Sequence, residues 1–170
     1  MKKLRLSFIT ICMMLSVVTA KAEGTPSLRD LFRQMPDSLL PYLTQTNRLD
    51  FIDFIDSKMK AEVRNALDGT SEMTVMTDDS LSIRLSEAST VDIHLLQAVE
   101  QPADSCQQVI CVVRTWSISN GGTESRTEFY STDWKPLNTP PALSAADQRR
   151  IESWNQSTIL KTIEEILNKQ

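Results

Sequence analysis

Histidine occurs once in this chain of 170 residues, at His94, and glycine only four times, at Gly24, Gly69, Gly121 and Gly122. These two shortages exclude much of catalytic chemistry. A Ser-His-Asp triad would have to run through His94, with a carboxylate such as Asp92 to orient it. Asp92 and His94 share a strand face, but there is no G-x-S-x-G elbow and too little glycine for an oxyanion loop. Phosphate-loop and dinucleotide fingerprints are absent for the same reason. One histidine and the two cysteines beyond the first 22 residues do not form an H-E-x-x-H or paired C-x-x-C zinc site. The acidic stretches Asp68–Glu72 and Thr77–Ser80 lack the alternation of a calcium loop and read as turns. The sequence implies no metal and no cofactor, and His94 reads as a surface histidine.

Long apolar runs are scarce as well. One run, from Leu6 to about Val18, follows Lys2, Lys3 and Arg5 and precedes Ala20-Lys21-Ala22. Basic start, apolar core and small-x-small end make residues 1–22 a secretory signal peptide cleaved after Ala22. A core of roughly 13 residues is short for a bilayer span. Cys12 lies inside the run rather than after it, which argues against a lipoprotein signal. Removing the leader lowers the basic count from 18 to 14 against 22 acidic residues, a mature charge of −8. Nucleic acid and anionic membrane surfaces need clustered Lys and Arg, so neither is an expected partner.

Two cysteines remain, Cys106 and Cys111. An exported chain could join them. In one strand, however, they lie about 16 Å apart on opposite faces, against a limit of about 7 Å for a disulfide. A bond therefore needs Cys106 in a turn that folds back; otherwise Cys111 is a small buried hydrophobe.

What is present reads as an α+β domain over residues 23–170. Ser27 caps a short helix, and Pro36 and Pro41 break the segment after it. Thr46 or Asn47 is expected to cap a helix running to about Leu67, with Gly69 as its stop. Asp50, Asp53 and Asp56 recur every third residue there, but that spacing fans them across about 120° of the helix. They form a solvated face, neutralised locally by Lys60 and Arg64. From Ser71 the period becomes two, giving an antiparallel meander of about five strands. Leu81, Ile83, Leu85 and Val91, Ile93, Leu95 face inward. The segment Gln107–Ile118 is nearly continuous apolar, as in a strand buried on both sides, with a helix on the second. Residues 137–143 form a proline-marked linker. Ser144 and Asp147 then start a terminal helix whose stripe of Ile159, Leu160, Ile163, Ile166 and Leu167 docks on the sheet or on another chain.

Exposed aromatics are the remaining carriers of function. Phe129, Tyr130 and Trp134 fall within six residues, with Phe129 expected inward and Tyr130 outward. Tyr130 and Trp134 are candidate partner-binding residues; the alternative is that they anchor the corner of the core.

Several stretches together, "MPDSLLPYLT", "NRLDFIDFIDSKMKAEV", "MTDDSLSIRLSEAST", "VICVV" and "FYSTDWKPL", resemble an uncharacterised family of exported Bacteroidetes proteins. The resemblance covers residues 28–137. It implies secretion and a shared α+β fold, and no activity or site residue comes with it. Members of that family continue past the "FYSTDW" strand with strand-forming sequence, whereas this chain ends in a helical pattern.

The expectation is a periplasmic or secreted, non-catalytic module that binds an envelope protein or glycan through its sheet face or the Tyr130–Trp134 corner. A deep pocket with converging carboxylates, or a Ser/His pair, would count against it. Two alternatives stand beside it. One is a carboxylate-dependent glycan hydrolase with two acids about 5–10 Å apart across a cleft. The other is a homo-oligomer formed through Leu160, Ile163 and Leu167.

Overall fold

The computed structural model describes residues 25–99, 108–119, 122–139 and 141–154. The expected leader (1–22), Cys106 and the apolar stripe from Ile159 to Leu167 lie outside those residues. Among the described residues no helix is long and apolar enough to cross a membrane.

Helix α1, Leu28–Gln34, starts at Ser27, whose hydroxyl accepts from the Asp30 amide. A 3-10 turn at Asp37–Leu39 fills the interval between the two prolines. Helix α2 covers Gln45–Asp56 and is capped by Thr44 in a reciprocal box with Asn47, two to three residues before the expected cap. It ends eleven residues short of Leu67. The stop is Lys58, which adopts a left-handed φ of 56°. Its amide bonds to the Ile55 carbonyl and that of Met59 to Phe54, closing a Schellman turn without glycine. The carboxylate ladder is indeed a helix face, but Asp56 pairs with Arg29 of α1 at 2.7 Å rather than with Lys60.

Residues freed by that early stop form strand β1, Glu62–Arg64, so the sheet has six strands rather than about five. β2 (Thr70–Met76), β3 (Ser80–Ser86), β4 (Ser89–Gln97), β5 (Gln108–Ser117) and β6 (Thr123–Ser131) follow in order. Every neighbouring pair is antiparallel. The architecture is α+β, with the first face of the meander covered by α1 and α2. Leu81, Ile83, Val91, Ile93, Ile110 and Val112 pack there against Leu28, Phe32, Phe51 and Ile52.

The second face carries a smaller cluster of Leu96, Val109, Cys111 and Val113. It is covered by Leu143 and by the helical residues 145–154, here α3, through Ile151 and Trp154. Val109 to Val113 are therefore buried on both sides, as the unbroken apolar run implied. Ser144 caps α3 by accepting from the Asp147 amide at 3.0 Å. The proline-marked stretch is pinned near both ends, by Leu137 N–H to the Phe129 carbonyl and by a bridge between Leu143 and Ala98. Cys111 is a free, buried thiol, pushed up to about 12 by burial.

Candidate functional site

The described residues of α3 cover part of the second face. Beside it, a groove of about 460 Å³ runs along β3 and β4, from Ser80, His94 and Trp154 to the hairpin at Ser86–Ser89. Its floor follows from the strand period: Ser80, Ser82 and Arg84 point away from the face that holds Leu81, Ile83 and Leu85, and so do Thr90, Asp92 and His94 of β4. Half of the sixteen described lining residues are Ser or Thr, groups that both donate and accept, and of these Ser80 is bonded to His94, Ser86 to Ser89 and Thr115 to Ser125. Arg84 is paired with Glu72. Among the described residues the other ionisable groups of the lining are Glu87, Asp92 and His94.

Among the described residues three buried side-chain polar atoms lack a hydrogen-bond partner: Arg48 Nε, Thr90 Oγ1 and His94 Nε2. The last two belong to groove-lining residues. Buried polar groups in folded proteins are nearly always satisfied, so two such atoms in one groove are a chemical signal.

The profile of a family described as proteins of unknown function, DUF3256, matches residues 20–168. The chain belongs to the DUF3256 family. The match runs to residue 168, past residue 137 where the expected resemblance ends. A domain of an uncharacterized protein from Porphyromonas gingivalis W83 is similar to this DUF3256 chain, at 29% identity and a TM-score of 0.53. The similarity covers 66% of this chain and 54% of that one, so the chain spans about half the length of that domain. No curated protein matches the chain.

Tyr130 and Trp134 are not on the surface of this DUF3256 domain. They are 5% and 6% exposed and belong to the helix-side core, while Phe129 packs on the second face. The expected facing is thus reversed. A β-strand alternates strictly, and the sequence does not say which parity meets the helices.

His94 corrects the expectation of a surface histidine. It is 5% exposed, its Nδ1 lies 2.6 Å from Ser80 Oγ, and its ring stacks on Trp154 with centroids 3.3 Å apart and planes 6° from parallel. A Ser/His pair therefore exists, and its chemistry has to be weighed. Burial pushes the imidazole down to about 3, with the Arg150 charge adding to the effect and Asp79 opposing it. A general base works best with a pKa near the operating pH. His94 is far below that, and no acceptor orients its Nε2 as a triad carboxylate would. The pair braces β3 against β4 and seats α3, which Arg150 also holds through Asp79 at 3.1 Å.

That burial carries a pH signature. In the unfolded chain His94 titrates near 6.5, so between pH 6.5 and about 3 the unfolded state binds a proton that the folded state does not. Stability is full above pH 6.5 and falls as the pH drops through that window, by up to about 1.4 kcal/mol per pH unit. His94→Phe keeps a ring under Trp154 and removes the titration. Urea midpoints between pH 3.5 and 6.5 should show a shallower slope for the variant; equal slopes would assign the acid sensitivity to other groups.

Proposed function

We propose that the protein is an exported, non-catalytic binding module, one domain over residues 23–170, that holds an envelope component in the groove on the second face of its sheet. The observation that carries this reading is the groove itself: a hydroxyl-lined depression of about 460 Å³ with two partnerless polar atoms in its walls. Its size lies within the range of small-ligand sites. The weak basicity of His94 supports binding over hydrolysis. Export is supported by the leader pattern, and the family match starts at residue 20, beside the Ala20-Lys21-Ala22 cleavage pattern.

The test is capture from solubilised envelope of the producing organism, with the chain expressed behind its own leader and purified as the cell processes it. Ser82→Trp fills the groove, and Met59→Ala, at an exposed position beyond α2, serves as control. Wild type and Met59→Ala should retain the same component while Ser82→Trp, folded by circular dichroism, loses it. Equal recovery from all three sinks the groove as the binding site.

A further inference from the structure

Resting on that reading of the groove, we infer that its ligand is an uncharged glycan, held by hydroxyl-to-hydroxyl hydrogen bonds centred on Ser82 and Thr90. The lining selects this class by what it offers and by what it withholds. Ser and Thr hydroxyls donate and accept, which matches a sugar hydroxyl and suits no single charged group. Among the described lining residues an anionic glycan or a phosphate would meet Glu87, and Arg84 is already engaged by Glu72. An extended peptide binds sheets by adding a strand at an edge, where backbone groups are unpaired. β3 and β4 are interior strands whose ladders are both in use, so the groove gives a peptide no backbone register. An amphipathic helix needs an apolar trough, which a wall half Ser and Thr does not provide.

Two further observations point the same way. Thr90 lines the groove and its Oγ1 is closed off with no hydrogen-bond partner, so no bond opposes a turn to the other threonine χ1 rotamer that a ligand hydroxyl would reward. His94 is 95% buried and lines the groove's end with Nε2 unsatisfied. In the neutral ring Nδ1 and Nε2 take opposite roles, so with Nδ1 committed to Ser80, Nε2 keeps an unfilled donor or acceptor role at that end.

The decisive substitution is Thr90→Val, which keeps shape and β-branching and deletes only a hydroxyl that bonds to nothing in the free protein. Isothermal titration would use soluble malto-, manno- and chito-oligosaccharides, with sulfated maltooligosaccharide as the anionic arm. A neutral series should bind, and Thr90→Val and Ser82→Ala should each weaken it about tenfold. The thermal midpoint of Thr90→Val should be unchanged or raised, because an unsatisfied buried hydroxyl is lost. Preference for the sulfated sugar, or equal affinity of wild type and Thr90→Val, overturns the inference. If no sugar binds while Ser82→Trp still abolishes envelope capture, the glycan inference falls and the groove reading stands; if capture is also insensitive, both fall.

Discussion

Arg48→Ala will lower the unfolding free energy by about 3–5 kcal/mol, on the scale of large core truncations with loss of buried hydrogen bonds. Arg48 is 1% exposed and ranks first among the largest fully buried side chains. It sits on the inner side of α2, four residues past the Thr44 cap, and its guanidinium donates to the backbone carbonyls of Leu43 and Met35. Those two residues bracket the irregular segment with the prolines, so one planar fork fixes both ends of a stretch that has no ladder of its own. Arg48 also meets Asp37 at 2.8 Å. That carboxylate is 62% exposed and contributes little, since solvent screens exposed pairs. The carbonyls decide the effect. Alanine leaves both without their donor in a closed site and opens a cavity where the aliphatic stem packed. Arg48→Met should recover the packing but not the hydrogen bonds, losing about 2 kcal/mol. Asp37→Ala should lose less than about 1 kcal/mol. Urea unfolding at constant m-value separates the three. A loss for Asp37→Ala equal to that of Arg48→Ala would move the weight onto the ion pair.

That arginine also shows what a sequence pattern hides. Alternation in Leu81, Ile83, Leu85 and in Val91, Ile93, Leu95 was legible, because a period of two needs only local spacing. So was the double burial of Val109–Val113, because a run of apolar residues has no wet face to offer. The end of α2 was not legible: the left-handed residue is Lys58, and the glycine that looked like a stop, Gly69, instead donates its amide to Asn65 in the turn leading to β2. β1 has three residues, too short for any period to register. The hydroxyls of the groove were readable as the outward parity of β3, but their gathering depends on the register Ser82↔Asp92 and Arg84↔Thr90 across the hairpin. Sealing of His94 was furthest from view, since the ring that buries it, Trp154, lies sixty residues along the chain.

The second large effect is at Trp134, where alanine should cost about 3–5 kcal/mol. Its indole is 6% exposed, donates from Nε1 to the Leu31 carbonyl at 2.9 Å and tilts against Tyr130 with ring centroids 6.0 Å apart. That hydrogen bond joins the turn after β6 to α1, more than one hundred residues earlier, so a single side chain ties the last strand to the first helix. The backbone is itself unusual at this position, in a turn closed by the Trp134 amide on the Ser131 carbonyl. Trp134 has a φ of 60°, a left-handed value that costs a bulky residue and persists only where the surroundings fix it. Alanine at that φ retains much of the backbone cost and loses the packing. Trp134→Phe should keep most of the filling and lose the Leu31 bond, a smaller effect of about 1–2 kcal/mol. A partner-binding tryptophan would behave oppositely: truncation would leave stability nearly intact and remove only binding. Equilibrium unfolding of Trp134→Ala therefore distinguishes a core anchor from a surface contact. A loss below about 1 kcal/mol would return this corner to the surface and restore it as a competitor to the groove.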